Sequence, residues 1–265
     1  MKTLYALVKN TFRETIRDRI LIVIAFFGAI LIVATQLLSA ISARQDEKIV
    51  VDLGLGMIDI FGMIITIFVG TQLIFREIDK KTIFVLLSKP VTRTEFLLSK
   101  FFGLGAILTL ITAIMLVVFI GVTAYSTDLI ISEGIIQMQF LGQISLIALF
   151  SLLSFLLLLA LVIFFSSFMK PMLAAFSALT VFVIGHITDD VRMFAETNTV
   201  APAFKQFADA VYFGFPNFSI LNLKNFVLSD IFLTPLQLGA AAAGALFWMV
   251  IAVTLGTLLF ARKEF

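Results

Sequence analysis

The 265-residue chain contains no cysteine and a single histidine, His186. Disulfides, thiolate metal sites and cysteine nucleophiles are therefore excluded, and one imidazole cannot build a histidine-rich metal site or proton relay. Charge is also scarce. Asp, Glu, Lys and Arg make up 14% of the residues, against about 25% in soluble chains. The net charge of +2 is too small to attract a polyanion over the whole molecule, so nucleic acid is not an expected partner. In place of charge there is apolar surface: 61% of the side chains are hydrophobic and the mean hydropathy is +1.12. Such a surplus has to face lipid, which excludes a secreted or cytosolic enzyme and a disordered chain.

Several chemical signatures are missing as well. No Gly-x-x-x-x-Gly-Lys-Ser/Thr loop is present to cradle nucleotide phosphates, and neither His-Glu-x-x-His, Gly-x-Ser-x-Gly nor Gly-x-Gly-Asp occurs. The expectation is a chain with no catalytic residues, no metal and no cofactor of its own.

Crossing about 30 Å of hydrocarbon at 1.5 Å per residue takes about 20 apolar residues in a helix. Six runs meet that length: 20–43, 53–75, 101–125, 140–169, 171–188 and 236–261. The expected fold is an all-α integral membrane protein of one transmembrane domain with six transmembrane helices. The first run follows a charged preface of 19 residues and is itself too long for the core of a cleaved leader, so it reads as retained. Of nineteen Lys and Arg residues, fourteen fall at the N-terminus, in 76–100, at Lys170 and at Arg262 and Lys263. Arg44, Lys48, Arg192, Lys205 and Lys224 occupy the opposite side. Positive charge is retained in the cytoplasm, so both termini are expected there, in a multi-pass protein of the cell's inner membrane.

Three stretches lie outside these runs. Within the leading segment 1–19, Leu4, Tyr5, Val8, Phe12 and Ile16 share one helical face while Lys9, Arg13 and Arg17 share another. This is the pattern of an interfacial helix whose basic face meets anionic headgroups of the bilayer or a protein partner. Segment 76–100 gathers ten charged or proline positions. Glu77 precedes Lys81 by four residues in a short helix that Lys89-Pro90 should stop. A second helix then restarts at Thr92, with Glu95 three residues on as a capping box and Val91 and Phe96 as a staple, and runs into the third span. Finally, 189–235 is too long for a turn. Its Phe204, Phe207, Ala208, Val211, Tyr212 stripe and the apolar run Phe218–Val227 suggest two short amphipathic helices in the outer leaflet.

Within the spans, Asp59 is the one acid. Lying about 10 Å from the outer end at helical rise, it is expected to be satisfied by water or a neighbouring hydroxyl, with substrate contact as the alternative. His186, with Asp189 and Asp190, reads as a solvated helix end. The nine methionines are scattered, as core packing residues are. Gly239-Ala-Ala-Ala-Ala-Gly244-Ala opens the last span and suits close helix packing, within the protomer or with a partner.

Segment 76–103 also carries a likeness. Glu77-x-x-x-Lys81-Thr82, Leu86-Leu87-Ser88-Lys89-Pro90-Val91-x-Arg93 and Phe96-Leu97-x-x-Lys100-Phe101-x-Gly103 resemble the cytoplasmic stretch of type-2 ABC transporter permeases. The likeness is greatest to the branch that includes the permease of the nitrous oxide reductase copper-maturation system. It implies a dimer of membrane subunits, here a homodimer, paired with separate ATP-binding cassette subunits that hold ATP and Mg. It also implies a coupling helix after the second span, so that Glu77, Asp79, Lys80, Lys81 and Thr82, with Lys89 and Arg93, would touch the ATPase. The family's route runs between protomers along the second and fifth spans, which would bring Asp59, Met63, Thr66, Ser177 and Thr180 near the cargo. The function so implied is an ATP-driven exporter of apolar or amphipathic cargo. A mechanotransmitting permease that acts on an outer protein without moving cargo, and an ion-coupled carrier using Asp59, stand as alternatives.

Overall fold

The computed structural model describes residues 2–16, 26–34, 46–79, 92–126, 131–132, 135–136, 138–197, 201–224 and 234–262. In chain order the elements are α1 (Lys2–Ile16), α2 (26–34), α3 (Asp46–Asp79), α4 (Arg93–Ser126), β1 (Ile131–Ser132), β2 (Ile135–Ile136), α5 (Met138–Ser166), α6 (Pro171–Thr197), α7 (Pro202–Gly214), a 3-10 turn (Ser219–Leu221) and α8 (Pro235–Arg262). Helices α3, α4, α5, α6 and α8 are each long and apolar enough to cross a membrane. Residues 20–25 and 35–43 of the first expected span lie outside the described residues, which leaves α2 as its central part. The two-residue strands pair antiparallel between α4 and α5, Ile131 opposite Ile136; nothing in the periodicity announced them.

Helix ends depart from the expected spans in an instructive way. A helix stops where its backbone loses hydrogen bonds or meets a breaker, whereas hydropathy stops where polar residues begin. Helix α3 accordingly runs past 75 as far as Asp79, and residues 80–91 of the expected cytoplasmic segment lie outside the described residues. Helix α6 continues to Thr197, carrying Asp189, Asp190 and Arg192 that had been assigned to the outer loop. Helix α5 ends at Ser166, short of 169, in a turn where the Ser167 hydroxyl donates to the Ile163 carbonyl at 2.8 Å and Pro171 opens the next helix.

The capping box forms as the spacing requires. The Thr92 N–H donates to Glu95 Oε2 at 3.0 Å, and the Glu95 N–H donates back to Thr92 Oγ1 at 3.2 Å. A second box, Thr234 with Gln237, starts α8 (2.9 and 3.4 Å). Its signature was equally present in the sequence, at the border of the last span.

Helix α5 is the hub. Its residues from Phe155 to Ile163 are almost all buried, and α3, α4, α6 and α8 all pack on it. Two glycines permit the closest approaches. A Cβ on Gly62 of α3 would overlap the Phe155 ring, and one on Gly70 would come within 2.9 Å of Val162. In lipid, contacts of this kind, rather than expulsion of water, hold helices together.

Helix α1 is a packed element as well as an amphipathic one. Thr11 is buried, and a Cβ on Gly103 of α4 would meet its Cγ2 at 2.6 Å. Lys100 of α4, itself buried, donates to Thr11 Oγ1 at 3.2 Å and lies 5.5 Å over the Phe96 ring. Tyr5, expected on the apolar face, is instead exposed, while Lys9 and Arg13 are exposed as the charge pattern anticipates. Arg17 lies outside the described residues.

Candidate functional site

A groove of about 530 Å³ runs between α3 and α6. Met63, Ile64, Ile67, Phe68, Thr71 and Gln72 form one wall; Pro171, Met172, Ala175, Phe176 and Leu179 form the other. Steps of three and four residues on both walls show that each helix presents one continuous face. Among the described residues lining it, only Thr71 and Gln72 have polar side chains, and the Thr71 hydroxyl donates to the Ile67 carbonyl at 2.7 Å. A surface so poor in donors and charges can hold an apolar body but cannot replace an ion's hydration shell.

Of the residues expected along this route, Met63 lines the groove and Asp59 sits one turn beyond it on α3. Thr66 turns into the bundle, buried, with its hydroxyl on the Gly62 carbonyl at 2.7 Å. Ser177 is half-buried and donates to Met169 Sδ at 3.4 Å. Thr180 is exposed and donates to the Phe176 carbonyl at 2.8 Å. Helical spacing places residues on a span but not on a face, and the face is decided by which neighbour packs against it.

The described partner of Asp59 is a charge rather than a hydroxyl. Asp59 forms an ion pair with Lys224, both side chains about four-fifths buried, and its Oδ1 is buried without a hydrogen-bond partner among the described residues. His186 is not a solvated helix end either. Its ring stacks on Phe218 at 5.7 Å with 10° between planes, and its Nδ1 lies 3.1 Å from the Phe182 carbonyl. The segment from Phe215 to Lys224 brings both contacts about. It leaves α7 and enters the bundle, where Phe218, Leu221 and Leu223 are buried, so the described part of the second expected surface helix carries the 3-10 turn Ser219–Leu221 into the core, and residues 225–227 lie outside the described residues. The only hint of this in the sequence was a solitary lysine inside the apolar run Phe218–Val227, which is costly in lipid unless matched by an acid.

At the same end, α7 packs on α6. Arg192 pairs with Glu196 at 3.1 Å and with Asp209 at 3.6 Å, and its guanidinium lies 4.3 Å over Tyr212. Ala208 is buried, whereas Phe204 and Phe207 of the anticipated stripe remain exposed, Phe204 edge to face with Phe194 and Phe207 tilted against Phe204. The small-residue stretch of α8 is divided. Ala241 and Ala245 are buried, while a Cβ on Gly239 or Gly244 would meet no described atom within 4 Å. That open side borders a second cavity of about 600 Å³ walled by Tyr212, Phe213 and Trp248.

The segment expected to meet an ATPase is described only at its borders. Glu77 and Asp79 fall among the last described residues of α3 and Arg93 in the first turn of α4, without described side chains; Lys80, Lys81, Thr82 and Lys89 lie outside the described residues. Among the described residues, no group of three His, Asp or Glu is gathered that could hold a metal ion.

An apolar groove between two spanning helices, in a bundle whose hub is a third, is an arrangement that a multi-pass membrane protein can hold. Comparison with known families agrees: residues 5–265 match the family described as ABC-2 family transporter protein. The chain belongs to this family. No curated protein matches it. As an ABC-2 family member it is a multi-pass membrane protein and a permease subunit of an ABC transporter, and membership implies an ATP-binding cassette ATPase as partner.

Proposed function

We propose that this ABC-2 family chain is the cargo-carrying subunit of an exporter, working as a homodimer with two separate ATPase subunits that supply ATP and Mg. The observation that carries the reading is the apolar groove on α3 and α6. Both helices present large exposed apolar side chains beside it, Ile60 and Ile64 on one and Met172, Leu173 and Val183 on the other. Exposed faces of this kind on adjacent spans suit a second protomer, with an apolar or amphipathic cargo passing between the two.

In this reading both termini and segment 76–100 face the cytoplasm of the inner membrane, where the basic residues are retained. The groove occupies the cytoplasmic half of α3 and α6, and α7 lies at the outer leaflet. Glu77, Asp79, Lys80, Lys81, Thr82, Lys89 and Arg93 receive the ATPase's movement, and Lys9, Arg13 and Arg17 rest on anionic headgroups. The packing of α1 on α4 through Thr11, Lys100 and Gly103 supports transmission of that movement, because two helices so joined shift together.

The test is to reverse both charges, Glu77→Lys with Lys81→Glu, and to co-purify the complex. ATPase subunits should be lost or cargo-stimulated hydrolysis should fall by about tenfold or more, since several charged contacts are inverted at once. Unaltered assembly and rate would reject the coupling assignment. Mechanotransmission without cargo is favoured by one observation, the exposed Phe194, Phe204 and Phe207 cluster, which offers a surface to an outer protein. Flux in reconstituted vesicles separates the two readings.

A further inference from the structure

The groove between α3 and α6 is apolar along its length and polar at one end only. Helix α3 lies parallel to α5, Gly62 meeting Phe155 and Gly70 meeting Val162, and α6 turns back after residues 167–170. Gln72 and Pro171 therefore stand at the same end of the groove, and Met63 and Leu179 at the other. The Thr71 hydroxyl is engaged locally, by the Ile67 and Phe68 carbonyls at 2.7 and 3.3 Å. Gln72 is exposed, and its amide makes no hydrogen bond among the described residues.

Lys170 stands immediately before Pro171. It is the only charged side chain between Glu133 and Asp189. It is exposed and forms no ion pair among the described residues. Its backbone is held in place. The Lys170 carbonyl accepts the Ala174 N–H at 2.9 Å, the Met169 N–H donates to the Phe165 carbonyl at 2.9 Å, and the Ser177 hydroxyl donates to the Met169 sulfur at 3.4 Å. Lysine is a poor choice for this position. The residue that caps a helix N-terminus is ordinarily Ser, Thr, Asp or Asn, and the partial positive charge of that terminus repels a cation. Retention of positive charge in the cytoplasm asks only for a cation somewhere in the turn, and the exposed Phe168 position would hold one without that repulsion. On the other wall, the face of α3 that carries Gln72 reaches Arg76 one turn further on, a second basic position at the same end.

A nonpolar strip with one cationic end is complementary to a molecule with a nonpolar body and one anionic end. Residues 171–179 rise about 12 Å along α6. With a volume of about 530 Å³, the groove suits a single aliphatic chain laid between its walls. Met63 at one end and Met172 at the other adapt to a flexible chain. A neutral head would leave Lys170 unpaired, and a cationic one would be repelled.

We propose that the α3–α6 groove takes a single-chain anionic amphiphile from the cytoplasmic leaflet, its tail between Met172 and Met63 and its carboxylate or phosphate head on Lys170 and the Gln72 amide. This rests on the reading of the groove as the cargo path and narrows that cargo to one chemical class. The walls select the tail, and Lys170 selects the head.

The test uses palmitic acid carrying a photoactivatable diazirine in its chain, added to the assembled complex in phosphatidylcholine vesicles at about pH 8.5, above the usual carboxyl range. Cross-links are mapped by mass spectrometry. The acid should label residues 63–72 and 171–179, and its methyl ester should label them about tenfold less, since the ester offers Lys170 no charge. Lys170→Gln should lower labelling by the acid about tenfold and leave that by the ester unchanged, while Lys170→Arg retains it. Because Lys170→Gln also removes a charge that helps to orient the chain, Lys170→Gln with Phe168→Lys restores the charge of the turn at another position and should label as weakly. Unlabelled palmitate and hexadecyl phosphate should displace the probe, the better competitor naming the head, and hexadecanol should not. Equal labelling by acid and ester would overturn the proposal, as would recovery with the relocated lysine, displacement by hexadecanol, or labelling spread evenly over the lipid-facing helices. Labelling needs neither nucleotide nor transport, so it can fail while the groove remains a path for neutral cargo; absence of flux with labelling intact would sink the cargo reading and leave the binding site.

Discussion

Helices α5 and α6 are consecutive, similar in length at 29 and 27 residues, and both long and apolar enough to span a bilayer, yet they fare oppositely. Of their most apolar windows, 72% of α5 is buried inside the protein and 22% of α6. The difference is not one of hydrophobicity alone: α5 is the more apolar helix, but lipid accepts an apolar side chain as readily as a protein interior does. It is one of fit. Helix α5 meets glycines on α3, so that Phe155 and Val162 press against bare backbone, whereas α6 makes its closest approach at Gly185, near its middle, and leaves residues 171–179 to line the groove. Apolarity places a helix in the membrane, and only steric complementarity places it in the middle of the bundle.

That contrast can be broken most forcefully at Phe155. Replacement by alanine empties the pocket over Gly62. The unfolded reference already sits in lipid, so the transfer part of the loss largely vanishes and the cavity part remains, about 3 kcal/mol, the lower end of the range for Phe→Ala in a core. Thermal unfolding in detergent should show a fall in Tm of several degrees; an unchanged Tm would mean that α5 is not the hub. Gly185→Ala comes next. The added methyl must displace the Pro216 carbonyl or the Phe218 ring, an overpacking cost of about 1–2 kcal/mol, and it should loosen the outer segment before the bundle melts. Faster proteolysis near residue 218 at unchanged far-UV helicity is the expected readout. Phe176→Ala should be the mildest. Its ring is exposed on the groove face, so the isolated protomer should lose no more than about 0.5 kcal/mol. If that face receives a second protomer, cross-linking between protomers should fall even so. Equal destabilisation by Phe155→Ala and Phe176→Ala would erase the distinction between hub and path.

Much of this protein could be read along the chain. The α3, α4, α5, α6 and α8 spans emerge from apolar length, and the Thr92–Glu95 cap from a three-residue spacing, because both depend on neighbours in sequence. Asp59 drew attention as a lone acid in lipid. Its partner Lys224 lies 165 positions away on a segment that hydropathy assigns to a surface helix, and no local rule connects them. Thr66 and Met63 are three residues apart on one helix, yet one turns into the bundle and the other into the groove.

What the sequence by itself determined is the solvent: composition and run length place this chain in a bilayer, and local spacing caps its helices, because transfer energy and capping hydrogen bonds are properties of short stretches. The tertiary structure alone decided which faces are core and which line the groove, that α1 is clamped to α4, and that segment 215–224 turns inward to pair Lys224 with Asp59. In lipid the hydrophobic effect no longer sorts one helix face from another, so the sorting passes to shape and to charges that must find each other across the fold.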